Sequence, residues 1–318
     1  MDAAAETPLD LTLPNIASYR AGNTGVDYVT TLDSGRPGPH VMLSALVHGN
    51  EPCGAVALDF LFTRRVRPRR GRLSLAFMNA AAYGTFDPAL PNVSRFVDED
   101  FNRLWTSEVL DGPRDSAELS RAREVRPILN TVDILLDLHS MQHVSPPLMM
   151  AGPLAKGRTL ARAVGAPEIV VADAGHAAGR RMRDYAGFGD PASPKTALLV
   201  ECGQHWVREA GEVAIQVTLR FLLQLGLIDR DIAGDLLPAA TAQRFIEVTD
   251  AVTIQNESFR FAGDYRGLEV IGAAGTVLGH DGDTPVRTPY DDCVLIMPSR
   301  RLYRGQTAVR LGRFVEPV

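Results

Sequence analysis

The feature that most limits what this chain can become is a series of short apolar runs that alternate with helical periods and end in chemically active residues. Residues 41–47 read as a buried strand running straight into His48-Gly49-Asn50-Glu51-Pro52. Proline is tolerated in the first turn of a helix, and residues 54–62 continue at helical spacing. A second strand is expected at 73–78. Residues 116–129 predict an amphipathic helix, with apolar Leu119, Ala122, Val125 and Ile128 spaced three apart. Residues 131–138 read as a strand ending at His139. Short strands follow at 168–172 and 196–200, then a long helix over 207–225. Strands alternating with helices predict an α/β layer on a mixed, mostly parallel sheet flanked by helices. The first forty residues read as loop, and Met149 and Met150 as core.

From residue 244 the helical period disappears. Short alternating or β-branched stretches lie at 245–253, 258–262, 269–271, 275–278, 293–297 and 307–311. Turn signals such as His280-Asp281-Gly282-Asp283 separate them. The pattern predicts two domains: 1–240 carrying the chemistry and a small all-β domain over 241–318. The 33 basic and 38 acidic residues leave a net charge of −5, which argues against nucleic acid or an anionic membrane as partner. No apolar run approaches the ~18 residues needed to cross a bilayer. The start, Met1-Asp2-Ala3-Ala4-Ala5-Glu6, lacks the basic and apolar pattern of a secretory leader. Cys53, Cys202 and Cys293 cannot close a disulfide framework, so a reduced, cytoplasmic chain is expected. Six arginines within 64–72 read as a solvated connection. Assembly with further copies is left open.

In open α/β sheets, sites collect at the carboxyl ends of strands. Here one strand leads into His48 and Glu51, a second ends at His139 and a third at Glu201, followed by Cys202-Gly203. Two imidazoles and a carboxylate with an open fourth position are a common zinc set in hydrolases. Glu201 is then a spare carboxylate able to take a proton from an attacking water. Taken singly, each residue also fits an ordinary structural role, and His-x-x-Glu recurs by chance. The coincidence of three strand ends favours the site. Between them lies Ser94-Arg95-Phe96-Val97-Asp98-Glu99-Asp100-Phe101-Asn102-Arg103-Leu104-Trp105, where two guanidiniums could clamp an anion. The three acidic residues within the segment could equally neutralise both arginines. His143, His176, His205 and His280 have no partner at ligand spacing. Cys53 and Cys202 lack the surroundings of a catalytic thiol.

In this order, His48-Gly49-Asn50-Glu51, Arg95 through Asn102-Arg103, Asp137-Leu138-His139 and Val200-Glu201-Cys202-Gly203 resemble the succinylglutamate desuccinylase/aspartoacylase family of zinc-carboxypeptidase-like hydrolases. The resemblance spans about residues 40 to 310, and Arg95 to Arg103 is its most specific part. It implies a zinc-dependent deacylase that hydrolyses a small N-acyl amino acid. One Zn²⁺ per chain would be held by His48, Glu51 and His139, with Glu201 as general base. Arg95 would stabilise the developing oxyanion, and Asn102 with Arg103 would grip a substrate carboxylate. Asp137 would orient a ligand histidine, which one being undetermined. Tyr290 would reach the rim of the site from the β domain, which would cap the cleft. The family's arginine for a second substrate carboxylate has no counterpart in 190–195; Arg180, Arg181 and Arg183 stand further upstream as substitutes. A zinc carboxypeptidase is the nearest alternative, and a non-catalytic carboxylate-binding protein a more distant one.

Overall fold

Alternation along the strands places successive side chains on opposite faces of one sheet. Both faces are covered, which is why the strands read as unbroken apolar runs. The computed structural model describes residues 9–175, 177–239 and 241–316. The strands are β1 (Val29–Asp33), β2 (His40–Ala45), β3 (Arg72–Phe77), β4 (Ile134–Met141), β5 (Leu148–Met150), β6 (Ile169–Ala172) and β7 (Thr196–Gln204). Beyond them come β8 (Arg244–Thr253), β9 (Phe259–Phe261), β10 (Val270–Ile271), β11 (Val277–Asp281), β12 (Thr284–Arg287), β13 (Cys293–Ile296) and β14 (Thr307–Val315). The longer helices are α1 (Cys53–Thr63), α2 (Ala117–Leu129), α3 (Ala155–Val164) and α4 (Arg208–Gln224).

Among the described residues, eleven strands form one sheet in the order β1-β3-β2-β4-β7-β5-β6-β8-β14-β13-β10. The run β3-β2-β4-β7 is parallel, as the alternation of strands and helices predicts. Leu43, Leu136 and Leu198 face a core shared with α1 and α4. Their neighbours Met42, Leu135 and Ala197 face the opposite core, with α2, Phe101 and Trp105. Ser116 accepts from Leu119 N and caps α2, so this helix starts one residue later than its pattern suggests.

Two local expectations change. The first forty residues are not all loop, because β1 pairs antiparallel with β3 at the sheet edge. The first parallel strand ends at Ala45 rather than residue 47, because Leu46 adopts a left-handed conformation with φ 57°. For a bulky residue this backbone costs about 1–2 kcal/mol, and it turns the chain toward His48. The C-terminal region is all-β, as expected, and its strands also extend the main sheet. Strand β8 pairs in parallel with β6 and antiparallel with β14, so the sheet runs unbroken past residue 240. Only β9, β11 and β12 make a separate, antiparallel sheet.

Candidate active site

Strand register brings the site together. His48 and Glu51 stand on the turn between β2 and α1, and His139 lies on β4. Glu201, on β7, is the residue directly opposite His139 in the parallel pairing. Gly49 is needed between the first two because the loop bearing Arg95 packs onto it. A Cβ there would come within 2.3 Å of Ser94 O, and Gly49 N donates to Arg95 O at 3.0 Å. That loop is held from behind by Glu118, a fully buried carboxylate on α2. It accepts from the backbone N–H groups of Val97, Asp98 and Glu99 at 2.6, 3.0 and 3.1 Å. Nothing in the sequence pattern distinguishes Glu118 from an ordinary first-turn acid.

His48, Glu51 and His139 are buried and offer ligand atoms within 4.8 Å of one another. Glu51 Oε1 lies 2.7 Å from His48 Nδ1, and Oε2 lies 2.8 Å from His139 Nδ1. The outer nitrogens meet other carboxylates: His48 Nε2 is 2.9 Å from Asp100 Oδ1 and His139 Nε2 is 2.9 Å from Asp137 Oδ2. Asp137 is fixed in turn by Ser44 Oγ, which donates to its Oδ1 at 2.6 Å. The histidine beside Asp137 is therefore His139, and Asp100 plays the matching part for His48.

This donor set fits a divalent cation. Asp137 only accepts, so His139 Nε2 is assigned the ring proton, leaving a lone pair on its Nδ1; His48 Nε2 stands between an acceptor, Asp100 Oδ1, and a donor, Arg95 Nη2, each at 2.9 Å. The His139 lone pair then faces Glu51 Oε2, an acceptor against an acceptor, unless a positive charge stands between them. A proton or a metal ion resolves the conflict, and carboxylates behind ligand histidines are the usual support of a metal site. The electrostatics agree. Burial opposes the charge on Glu51, but His48 and His139 outweigh it and hold the carboxyl well below its usual range. Burial likewise opposes charge on His139, yet Asp137 and Glu51 raise it well above the ordinary histidine value.

Arg95 donates from Nη1 to Glu51 Oε1 at 3.0 Å and from Nη2 to Asp100 Oδ2 at 3.2 Å. Asp100 thus serves His48, Arg95 and, at 3.8 Å, Arg103. Asp98 and Glu99 turn instead to the start of α2, accepting from Ala117 N and Ser116 Oγ. Glu201 differs from all of these. It is buried, its Oε2 has no hydrogen-bond partner among the described residues, and burial followed by the charge of Glu51 pushes its carboxyl up to about 8.

The remaining candidates divide. Asn102 is buried and its Oδ1 accepts from Met182 N at 2.7 Å. Arg103 donates to Asn102 O at 2.8 Å. Tyr290 is not brought to the cluster: its hydroxyl is 2.6 Å from Thr249 Oγ1, and Arg313 lies over its ring. Arg181 and Arg183 are committed to internal partners, Arg181 to Asp173 and Asp184, Arg183 to Asp184 and two backbone carbonyls. The cysteines are free and buried, and Cys53 Sγ donates to His139 O at 3.3 Å. His205 is buried, with Nδ1 2.9 Å from Ser140 Oγ. His143 and His280 stand apart from the cluster's donor set, and His176 lies outside the described residues. Arg310 on β14, which sequence reasoning passed over, is buried with Nε 3.3 Å from Asp173.

An imidazole–carboxylate–imidazole set beside the carboxyl ends of parallel strands, with a free buried carboxyl next to it, is the arrangement of an α/β amide hydrolase. The family model for the succinylglutamate desuccinylase/aspartoacylase catalytic domain matches residues 37–226, and the chain belongs to that family. Solved structures of similar fold include a succinylglutamate desuccinylase from Vibrio cholerae, 18% identical over 91% of this chain and 86% of that one, TM-score 0.67. A succinylglutamate desuccinylase/aspartoacylase from Rhodobacter sphaeroides is 21% identical over 91% and 89%, TM-score 0.64. The product-bound ectoine utilization protein EutE from Ruegeria pomeroyi is 17% identical over 94% and 92%, TM-score 0.61. At these identities the likeness is one of fold. No curated protein matches the chain. Among the described residues no helix is long and apolar enough to cross a membrane.

Proposed function

We propose that the chain is a zinc-dependent amidohydrolase that cleaves an N-acyl amino acid into a carboxylate and a free amino acid. The observation that carries this reading is Glu201, a buried carboxyl with an unpartnered oxygen, opposite His139 in the register. The buried carboxylates of Glu118 and Asp173 are engaged by donors; this one is left available.

His48, Glu51 and His139 would hold one zinc ion per chain. When bound, zinc supplies Lewis-acid polarisation of the acyl carbonyl and lowers the pKa of water. A divalent charge close by also draws the raised Glu201 carboxyl back toward its ionised, basic form. Glu201 then accepts a proton from the attacking water at Oε2 and returns it to the nitrogen of the departing amine. Asp137 holds the His139 Nε2 proton and so keeps its Nδ1 lone pair aimed inward, and Asp100 with Arg95 fixes the His48 ring from behind. Arg95, one guanidinium from the cluster, donates toward the acyl oxygen as negative charge gathers there. Arg103 offers its partly exposed guanidinium to the substrate carboxylate, and Asn102 anchors the segment that carries it. Arg301, in the connection between β13 and β14, and Arg310, on β14, come from the region beyond residue 240. The charge of Arg301 acts on Arg95, Glu51 and Asp100, and that of Arg310 on Glu201. Their presence supports a cleft narrowed by the region beyond residue 240, which favours a small acyl amino acid over a peptide.

The test is amine release by zinc-loaded protein from N-acetyl, N-formyl and N-succinyl amino acids, with N-terminally free dipeptides alongside. Turnover confined to acyl amino acids bearing a free carboxylate is expected. Release from the dipeptides with silence across the acyl panel would make the chain a carboxypeptidase instead.

A further inference from the structure

The segment that bears Arg95, Asp100, Asn102 and Arg103 has little regular structure of its own to hold it. Short 3₁₀ helices at Pro91–Arg95 and Phe101–Arg103 are joined by residues 96–100, which form neither helix nor strand. Apolar burial does not fix the join, because Phe96 and Val97 are exposed. Its backbone does. Three consecutive N–H groups turn inward onto one fully buried carboxylate, Glu118: Val97 N donates to Oε1, and Asp98 N and Glu99 N to Oε2.

Glu118 has a fourth donor. Asn79 Nδ2 reaches Oε1 at 2.9 Å, and Asn79 N donates to Leu46 O at 2.9 Å in the turn that leads to His48. One carboxylate therefore joins the Arg95 segment to the end of β3 and, through Asn79, to the turn of the metal cluster. The helix beneath it is anchored at the same place. Arg121 of α2 donates to the carbonyls of Met78, Phe77 and Asp27 at 2.8, 3.1 and 2.7 Å. The grip is also returned, since Asp98 Oδ2 accepts from Ala117 N at 2.7 Å and Glu99 Oε1 from Ser116 Oγ at 2.6 Å. A buried carboxylate is costly unless donors meet its oxygens. Here the backbone donors that meet them come from the stretch between Arg95 and Asp100.

We infer that Glu118 is a positioning residue of the active site, whose clamp on 97–99 sets Arg95 against Glu51 and Asp100 against His48 before substrate arrives. Arg95 and Asp100 stand on either side of the clamped N–H groups in the chain, so releasing the clamp displaces both. Misplacing a catalytic group by about 1 Å can lower a rate about 10²-fold. Loss of support behind a ligand histidine lowers metal affinity about 10–100-fold. The part played by Arg95 rests on the amidohydrolase reading; the part played by Asp100 rests on the metal site alone.

The experiment compares Glu118→Gln, Glu118→Asp and Val125→Ala in the full chain. It reads kcat for amine release at saturating zinc, zinc affinity by competition with a chelator, and melting temperature. Glu118→Gln sets an amide N–H against donors at one of the two oxygens. It is expected to lower kcat about 100-fold and to weaken zinc about tenfold. Glu118→Asp keeps both oxygens on a shorter side chain and should fall between Glu118→Gln and the wild type; it takes over the test if Glu118→Gln does not fold. Val125→Ala loosens the same helix through its buried apolar face, and should lower the melting temperature with kcat and zinc affinity unchanged. Glu118→Gln combined with Arg95→Gln should lose little more kcat than Arg95→Gln alone, because the first change acts through the second. If Glu118→Gln lowers only the melting temperature, as Val125→Ala does, the residue is structural and the inference falls. It falls equally if the two losses of kcat multiply in the double variant. A wild-type chain that releases no amine from any acyl amino acid would defeat the amidohydrolase reading instead, and zinc affinity in Glu118→Gln would still decide this inference.

Discussion

Two buried charge clusters sit on the same sheet and obey opposite rules. Around Asp173, beyond the end of β6, both carboxylate oxygens have found donors. Arg181 places Nη1 and Nη2 on the two oxygens of Asp173 at 3.0 and 2.9 Å and Nε on Asp184 at 2.6 Å. Arg310 closes on the same Asp173 from β14. Around Glu51 the arrangement is incomplete. Two imidazole nitrogens face one carboxylate with nothing assigned between them, and Glu201 Oε2 faces no donor. Perturbed and incompletely paired buried groups gathered in one place mark a candidate functional site, whereas mutually paired ones fit a structural role. Both lie beneath similar burial, so the distinction comes from pairing and not from depth.

The largest effect expected from breaking this contrast is at Glu201. Glu201→Gln keeps volume and burial and removes the base, so turnover should fall by about 10²–10⁴ with zinc content and melting temperature retained; wild-type rates in amine release would remove Glu201 from the chemistry. The saturated cluster should respond in the other currency. Asp173→Asn takes a shared carboxylate charge from buried Arg181 and Arg310, leaving Arg181 with Asp184 alone, and urea unfolding should show a loss of roughly 3–5 kcal/mol. A loss below one kcal/mol would mean that the network carries no stability.

Between these extremes lie the carboxylates behind the histidines. Asp100→Asn and Asp137→Asn should each lower zinc affinity by about 10–100-fold, measured by competition with a chelator. Unequal effects would show which ring depends more on its support. The smallest effect is a pH slope. Burial lowers the His205 pKa to about 3, so the folded chain binds fewer protons than the unfolded one between that value and about 6.5. Its contribution to stability is complete above pH 6.5 and declines as pH falls, by up to about 1.4 kcal/mol per pH unit. Urea midpoints measured from pH 7 to 5 should therefore fall less steeply in His205→Gln than in the wild type.

Much of the site was legible because its parts are attached to local signals. The strand-to-helix turn after β2, the strand ending at His139 and the strand through Glu201 each announce themselves by apolar runs and turn residues. Their meeting follows from the parallel sheet those runs predict. Asp100 was readable only as one of three acids in a loop. Its two neighbours cap α2 while it alone turns inward, a choice made by Glu118 fixing the loop backbone from another element. Tyr290, expected at the rim from the family resemblance, has its hydroxyl 2.6 Å from Thr249 Oγ1, a contact between segments 41 residues apart that no local pattern signals.

The C-terminal strands teach the same lesson on a larger scale. Their short alternating runs were visible one by one, yet the parallel pairing of β6 with β8, which makes them part of the main sheet, joins residues some 75 positions apart. No period in the chain encodes that contact.

The sequence by itself therefore determined the alternation of strands and helices, the residue types at the strand ends and the order in which they occur. Those properties depend on near neighbours, through side-chain periodicity and turn chemistry. Only the tertiary structure decided that His139 faces Glu51 across 88 residues, that Asp100 backs His48, and that Arg181 belongs to Asp173. Such contacts are set by strand register, sheet twist and the packing of helices on both faces, where a shift of one residue would turn every side chain to the other side.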